Sequence, residues 1–465
     1  MESHEPGGRS PAPDAQTNVL PTNAPLLSGM LAPLPAYPIE TLVPDARKQT
    51  PAVGQRVPRS DTRQHALGQT RYIEDIAFPN MLHARIKRAG IAAARIRRID
   101  AREAERMPGV VAVLTGRDIP VNSFGPSLQD QPVLAHERVA HAGDGVAAVA
   151  AINERIAAEA LDAIEVEYEP LSTVLDPLQA LQPDAPLVHP PHSNIYASRT
   201  LRKGDVERGF AASYRIFERR YRTQMVEHVA LEPHAAIADW DANGRVTIWS
   251  TLGRITLGRA DLARTLSMPM NRIRVVGYVG GNFGGKNEIT HEPVLALLSK
   301  KTGRPVKGVF TRAEEFTAST VRHPFIMDYK TGVARDGRIL AREVTLTLDG
   351  GAYCSWTETT LGKACILSAG PYDIENLHVE ARAVYTNKTV SGAMRGFGAP
   401  QVCFAYESQM DEIAEALGLD PLEIRLRNAF HEGSVSPTGQ VLQSVVVRET
   451  LRTAAERFGW NERQP

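Results

Sequence analysis

The amino-acid sequence predicts an α+β fold, and three stretches carry that prediction. From Arg272 to Gly277 a β-branched run feeds the loop YVGGNFGGKN, Tyr278 to Asn287, and behind it Val294, Leu295, Leu297 and Leu298 recur at helical spacing. Strand, glycine loop and helix follow directly. Between residues 57 and 182, short apolar runs alternate with Ala-rich helical pieces. Near the other end, Phe404–Leu417 and Pro421–Asn428 read as helices, the second opened by Asp420 as N-cap and Pro421 in its first turn.

Taken in order, residues 1–56 are rich in Pro, Ala, Ser and Gly with little periodicity, so they bury too little apolar area to offset their ordering entropy, and most of the stretch is expected to be disordered or draped on a partner. From Val57 the texture changes. Strands are expected at Met81–Ile86, Ala92–Ile99, Gly109–Leu114 and Gly145–Ala150, a helix at Glu154–Ile164 and a strand at Glu165–Glu169. Together they predict one compact domain over 57–182. Residues 183–193 read as a linker, and His189 and His192 as part of a solvated loop, since no Cys, Asp or third His joins them as a metal set. The second region, 194–465, carries expected strands at Arg219–Gln224, Val246–Ser250 and Glu343–Leu348 and a helix at Leu257–Leu266, while Gly303 and Pro305 end the helix behind the glycine loop.

Composition narrows the partners. Lys plus Arg and Asp plus Glu both number 53, so no basic field points to nucleic acid or a membrane surface. Cys354, Cys365 and Cys403 are scattered without C-x-x-C spacing; each is expected to be a small buried hydrophobe, and they cannot supply a four-thiolate cluster. No apolar run nears the roughly 18 residues of a transmembrane helix and no signal-peptide core is visible, which predicts a soluble, cytoplasmic protein.

The glycine loop is where chemistry is expected. Glycine lets backbone approach a ligand and aim consecutive N–H groups at it, and the helix start behind the loop favours negative charge, so an anionic cofactor fits. Gly280 to Lys286 has the spacing of a phosphate-binding P-loop, but Asn287 stands where magnesium binding wants Ser or Thr, leaving a nucleotide triphosphatase a remote reading.

The segment Gly280-Gly-Asn-Phe-Gly-Gly-Lys286 resembles the loop that packs its phenylalanine beside the molybdenum centre in the xanthine oxidase family, the molybdenum hydroxylases. Two further motifs resemble the same family in order and spacing: Ser391 to Gln401, with its Arg395-Gly396-Phe397-Gly398 core, and Gln224 to Pro233, with Glu227, His228 and Glu232. The resemblance implies an α/β hammerhead domain over 57–182 and the first half of a molybdopterin-binding domain over 194–465. It implies molybdenum-molybdopterin as cofactor, with Gly281, Asn282, Phe283 and Gly284 lining its metal end and Arg395, Gly396 and Phe397 approaching from the opposite side. No protein ligand to the metal is implied. Phe283, Arg395 and Lys363 are the implied catalytic residues, Lys363 falling where xanthine oxidase has a substrate-assisting arginine; a buried structural cation is the other reading of Arg395.

Departures refine what is implied. Leu252 stands where the family carries Gln, and Leu cannot donate to an oxo group; Asn287 replaces the substrate-facing Glu; Gly396 replaces the copper-binding Cys of carbon monoxide dehydrogenase. Purine and carbon monoxide oxidation are therefore disfavoured. The family continues well beyond Trp460, which implies one half of a split subunit, like the arrangement in nicotinate dehydrogenase, with a second molybdopterin-binding chain carrying the general base. A 2Fe-2S subunit and an FAD subunit are implied partners, and an aromatic or N-heterocyclic organic molecule, hydroxylated with water as oxygen donor, the implied substrate. A hydratase or aryl-CoA reductase of the same family, and a cofactor-poor scaffold, are the alternatives.

Overall fold

A computed structural model describes residues 58–463, so the expectation for residues 1–56 lies outside the described residues. The chain divides at Thr70 and Arg71 into two units. In the first, the described part holds one short helix, Thr62–Ala66, preceded by the exposed Arg59–Asp61 ion pair. All three family motifs lie in the second.

The largest sheet of this second unit has seven strands in the spatial order Ile273–Gly277, Val246–Ser250, Ala235–Trp240, Val306–Val309, Leu82–Arg88, Gly145–Ala151 and Val110–Thr115. Leu82–Arg88 has two edges to satisfy. One pairs antiparallel with Gly145–Ala151, and the other pairs parallel with Val306–Val309 in the register Leu82 to Val306. The 57–182 and 194–465 segments thus share one sheet, and one apolar cluster joins Leu82 and Leu114 to Ile248, Leu262 and Leu295. The helix behind the glycine loop, Glu292–Thr302, is buried through its first eight residues, which explains why its apolar positions run nearly unbroken. Gly303 ends it in the left-handed conformation with φ 64°.

A five-stranded sheet follows the order Ile195–Lys203, Asn376–Val384, Ile339–Asp349, Phe325–Val333 and Arg215–Arg222. Helices Thr357–Leu367 and Ala399–Leu417 share its core, where Tyr329, Leu346, Leu361, Val402 and Met410 are all buried. A three-stranded sheet of Arg138–Val139, Ala94–Asp100 and Glu165–Pro170 and a parallel pair, Val321–Arg322 with Ser391–Gly392, complete the unit. That short pair holds the start of the Arg395 segment in place.

Several elements differ from the sequence reading. Helix Ala399–Leu417 starts five residues before the expected Phe404, because Gly398 at φ 87° serves as its N-cap and Pro400 fits its first turn. Helix Thr357–Leu367 escaped notice: its inward positions Thr357, Thr360, Leu361, Ala364 and Cys365 keep helical spacing, but two are threonines and mask the apolar period. His189 is no solvated loop residue; its ring lies against Tyr353 and Tyr385 and its Nε2 bonds the Ala352 carbonyl at 2.6 Å, and burial lowers its pKa. Of the three thiols, Cys354 and Cys365 are buried but Cys403 is exposed on a helix flank.

Candidate cofactor-binding site

The strand Ile273–Gly277 delivers the glycine loop to the sheet edge, where the Tyr278 amide donates to the Ser250 carbonyl at 2.9 Å. Asn282 then organises the turn from within: its Oδ1 accepts from the Gly284 amide at 2.7 Å and its Nδ2 donates to Asn287 Oδ1 at 3.2 Å. This turn holds Phe283 at φ 49°, with 54% of its surface exposed. A non-glycine residue held there costs roughly 1–3 kcal/mol unless its surroundings fix it. The ring is presented outward.

Lys286 points the other way. Its buried ammonium donates to the Glu232 carbonyl at 2.6 Å and lies 3.3 Å from Glu232 Oε2, which also accepts from the Gly280 amide at 2.5 Å. Burial lowers the Lys286 pKa, with the Glu232 carboxylate opposing it. A P-loop lysine must reach phosphates, and this one braces the loop from behind, so the triphosphatase reading has no structural basis.

The Arg395 segment locks onto this loop. The Arg395 amide donates to the Phe283 carbonyl at 2.8 Å, His228 Nε2 donates to the Ala393 carbonyl at 2.8 Å, and Arg322 Nη2 donates to the Arg395 carbonyl at 3.0 Å. Two glycines permit the approach: a Cβ on Gly284 would lie 2.6 Å from the Ala393 oxygen, and one on Gly285 2.7 Å from His228 Nδ1. Burial lowers the His228 pKa, which keeps its ring neutral with the proton on Nε2. Below the loop, His234 Nδ1 bonds Glu315 at 2.9 Å and Nε2 faces the Gly285 carbonyl at 3.3 Å. Burial pushes the Glu315 carboxyl up, but the His234 bonds win and hold it low.

The expected residues are therefore not equivalent. Phe283 and the exposed Arg395 guanidinium, which makes no side-chain bond among the described residues, stand on the outer face of the paired loops. The amides of Gly281, Asn282 and Phe283 have no partner among the described residues, whereas that of Gly284 is consumed inside the turn. The Gly396 carbonyl closes a turn with the Ala399 amide at 3.2 Å, and Phe397, at φ 47°, sets its ring edge-on to Trp356 at 6.3 Å. Lys363 is exposed on helix Thr357–Leu367, and no bond joins it to either loop. Leu252 is 2% exposed, in the core against Gly258, so it does not face the loops. The buried-cation reading of Arg395 is excluded by its exposure. Trp356 and Arg322, which sequence reasoning missed, both touch the Arg395 segment and carry buried N–H groups without partners, Nε1 and Nη1.

Free amides on one loop, an unpaired guanidinium on the other and bare buried donors on the two side chains that touch it fit an anionic cofactor rich in hydrogen-bond acceptors. Among the described residues no three His, Cys, Asp or Glu side chains form a metal-binding set. Fold and site together define a cofactor-binding protein of mixed α and β architecture.

Comparison with known proteins gives the family. Residues 188–429 match the Molybdopterin cofactor-binding domain, and residues 67–172 match the Aldehyde oxidase and xanthine dehydrogenase, a/b hammerhead domain. The chain is 37% identical to the nicotinate dehydrogenase large molybdopterin subunit of Eubacterium barkeri, spanning 88% of this chain and 97% of that one. It is 33% identical to the xanthine dehydrogenase molybdenum-binding subunit of Escherichia coli O157:H7, over 87% of this chain and 56% of that one. The aldehyde oxidoreductase of Desulfovibrio gigas superposes with a TM-score of 0.83 at 29% identity, covering 91% of this chain and 49% of that one. Quinoline 2-oxidoreductase of Pseudomonas putida 86 gives 0.82 at 30% identity, covering 87% and 54%. The chain thus spans nearly the whole nicotinate dehydrogenase subunit but about half of the others. It belongs to the xanthine oxidase family as a molybdopterin-binding subunit, and it is part of a molybdenum-dependent oxidoreductase. Among the described residues no helix is long and apolar enough to cross a membrane.

Proposed function

We propose that this chain is one half of a split molybdopterin-binding subunit, acting on an aromatic, N-heterocyclic or related organic molecule with water as oxygen donor. The observation that carries the site is the 2.8 Å bond from the Arg395 amide to the Phe283 carbonyl, which fuses two separate loops into one rigid face. In this reading the amides of Gly281 and Asn282, with Trp356 Nε1 and Arg322 Nη1, hold the cofactor. When bound, a molybdenum cofactor would supply the redox chemistry of a hydroxylation that takes its oxygen from water. Phe283 walls the substrate space with an apolar ring that excludes water, and the Arg395 guanidinium holds an anionic oxygen of cofactor or substrate. Gly284 and Gly396 act on backbone shape, and Lys363 is proposed as a substrate contact at the rim.

The partner chain is supported by what lies around the loops. Val229 is 55%, Leu231 91% and Val279 44% exposed beside Phe283, an apolar rim that a second molybdopterin-binding chain would cover. The near-complete match to a subunit of nicotinate dehydrogenase supports the same division. A 2Fe-2S subunit and an FAD subunit would then carry electrons away, and the assembly would work in the cytoplasm. The test is to purify the tagged chain from its host and measure molybdenum, iron and flavin per complex with the identity of each bound chain. Near one molybdenum with a second pterin-binding chain is expected; a metal-free solitary chain would overturn the proposal in favour of a scaffold.

A further inference from the structure

Beside the two loops stands an exposed cation that neither motif contains. After strand Val246–Ser250 the chain presses against the glycine loop before helix Ile255–Thr265 begins. Gly253 marks the contact: its amide donates to the Lys286 carbonyl at 2.6 Å, and a Cβ added to it would lie 1.6 Å from Asn282 Nδ2. Only glycine fits there. On one side of it Leu252 is held in the core against Gly258, and on the other Arg254 is exposed. The backbone beneath Arg254 is therefore fixed to the loop that carries Phe283.

The Arg254 side chain reaches toward the other loop. Its Cζ lies 4.5 Å from the centroid of the Trp356 ring, and that ring meets Phe397 edge-on at 6.3 Å. Stacking engages only the face of a guanidinium; the five N–H groups lie in its plane and point outward from its edge. Among the described residues none of those of Arg254 has a hydrogen-bond or ion-pair partner. The stack thus restrains the group without using a donor, and a carboxylate can take two parallel N–H bonds from it at a reduced ordering cost. Apolar surface borders this cation: Phe283 and Ile255 are exposed, and Trp356 and Phe397 are half-buried.

We propose that Arg254 is a specificity-determining residue that holds the carboxylate of an aromatic acid substrate, the edge of its guanidinium bonding both oxygens while Trp356 supports its face. This rests on the reading of the paired loops as the place where an aromatic molecule is hydroxylated. A phosphate is tetrahedral, and the free amides and Arg395 already answer the cofactor. A flat fork stacked among aromatic rings matches a flat acid instead.

The test is calorimetric titration of the native complex with benzoate and the pyridine monocarboxylates, each beside its primary amide, which needs no turnover. In the parent the best-bound acid should bind roughly 10- to 100-fold more tightly than its amide, and Arg254→Gln should abolish that preference while leaving the amide's affinity within about twofold. Arg254→Lys keeps the charge but not the fork, so it should retain only part of the preference. A parent that binds no acid better than its amide, or an Arg254→Gln complex that keeps the preference, overturns the proposal. So does loss of molybdenum from Arg254→Gln, which would assign the guanidinium to a cofactor phosphate, or loss of a bound chain, which would assign it to the partner. For any acid that is turned over, the variant should raise KM with kcat changed by less than about threefold, and a loss confined to kcat overturns the binding role. A complex that binds acids through Arg254 and hydroxylates none keeps the carboxylate assignment and faults the hydroxylase reading alone.

Discussion

Arg342 and Glu288 are both charged side chains sealed from solvent, and they are sealed in opposite ways. Arg342, fully buried in the five-stranded sheet, donates to Thr331 Oγ1 at 3.0 Å and to the Ala369 carbonyl at 2.9 Å; Thr331 in turn donates to Gln409, whose amide reaches the Tyr329 carbonyl at 3.2 Å. Every polar atom there has been answered by the protein. Glu288 has one answered oxygen, bonded by Ser355 Oγ at 2.5 Å, and one buried oxygen without a partner among the described residues. A closed buried network fixes a scaffold, whereas an open one leaves bonding capacity for something that the chain does not itself provide.

That contrast is broken most severely by Arg342→Ala, which leaves a cavity and strands the Ala369 carbonyl. A loss of about 3–5 kcal/mol is expected in urea unfolding, with no pH dependence specific to the variant. Next comes Glu288→Gln. Because its folded value of about 7 lies above its ordinary 4.5, the folded state keeps a proton that the unfolded state releases; parent stability should fall as pH rises through that window and level off above it. The variant lacks this slope, so the stability difference between the two proteins should swing by roughly 3 kcal/mol in its favour, read from unfolding midpoints at pH 5 and pH 8.

Gly285→Ala probes the seam between the loops. Its new methyl meets the His228 ring, itself anchored on Ala393, and about 1–3 kcal/mol should be lost together with cofactor retention, measured as molybdenum content. Phe283→Ala should change stability by less than about 0.5 kcal/mol, since the ring is already exposed, yet reduce turnover by roughly 10²-fold. A variant that turns over normally would remove Phe283 from the site. Arg395→Ala should leave the unfolding midpoint unmoved and show itself only as lower molybdenum content or a raised KM; full metal and an unchanged KM would place the guanidinium outside the site.

The paired loops are visible along the linear chain, but what stands behind them is not. Leu252 looked like a change in the cofactor surroundings, and it proves to be a core residue beside Gly258. Lys286 looked like a phosphate ligand by spacing and turns inward to Glu232. Trp356 and Arg322 carried no motif, because their importance arises from contact with a segment 40 to 75 residues away rather than from their neighbours in sequence.

Local chemistry suffices where a property depends on nearest neighbours. Gly281 and Gly284 at positive φ, the Asp420 cap with its bonds to Leu422 and Glu423, and the left-handed stop at Gly303 are all written in residues a few positions apart. The sequence by itself determined that two glycine-rich loops would present exposed backbone, and that their motifs belong to one family. Only the tertiary structure decided that Arg395 bonds Phe283, that strands from both halves of the chain share one sheet, and that Glu288 is buried with an oxygen left bare. Those outcomes depend on which segments meet at long range, and burial acts on a carboxyl only once distant chain has closed over it.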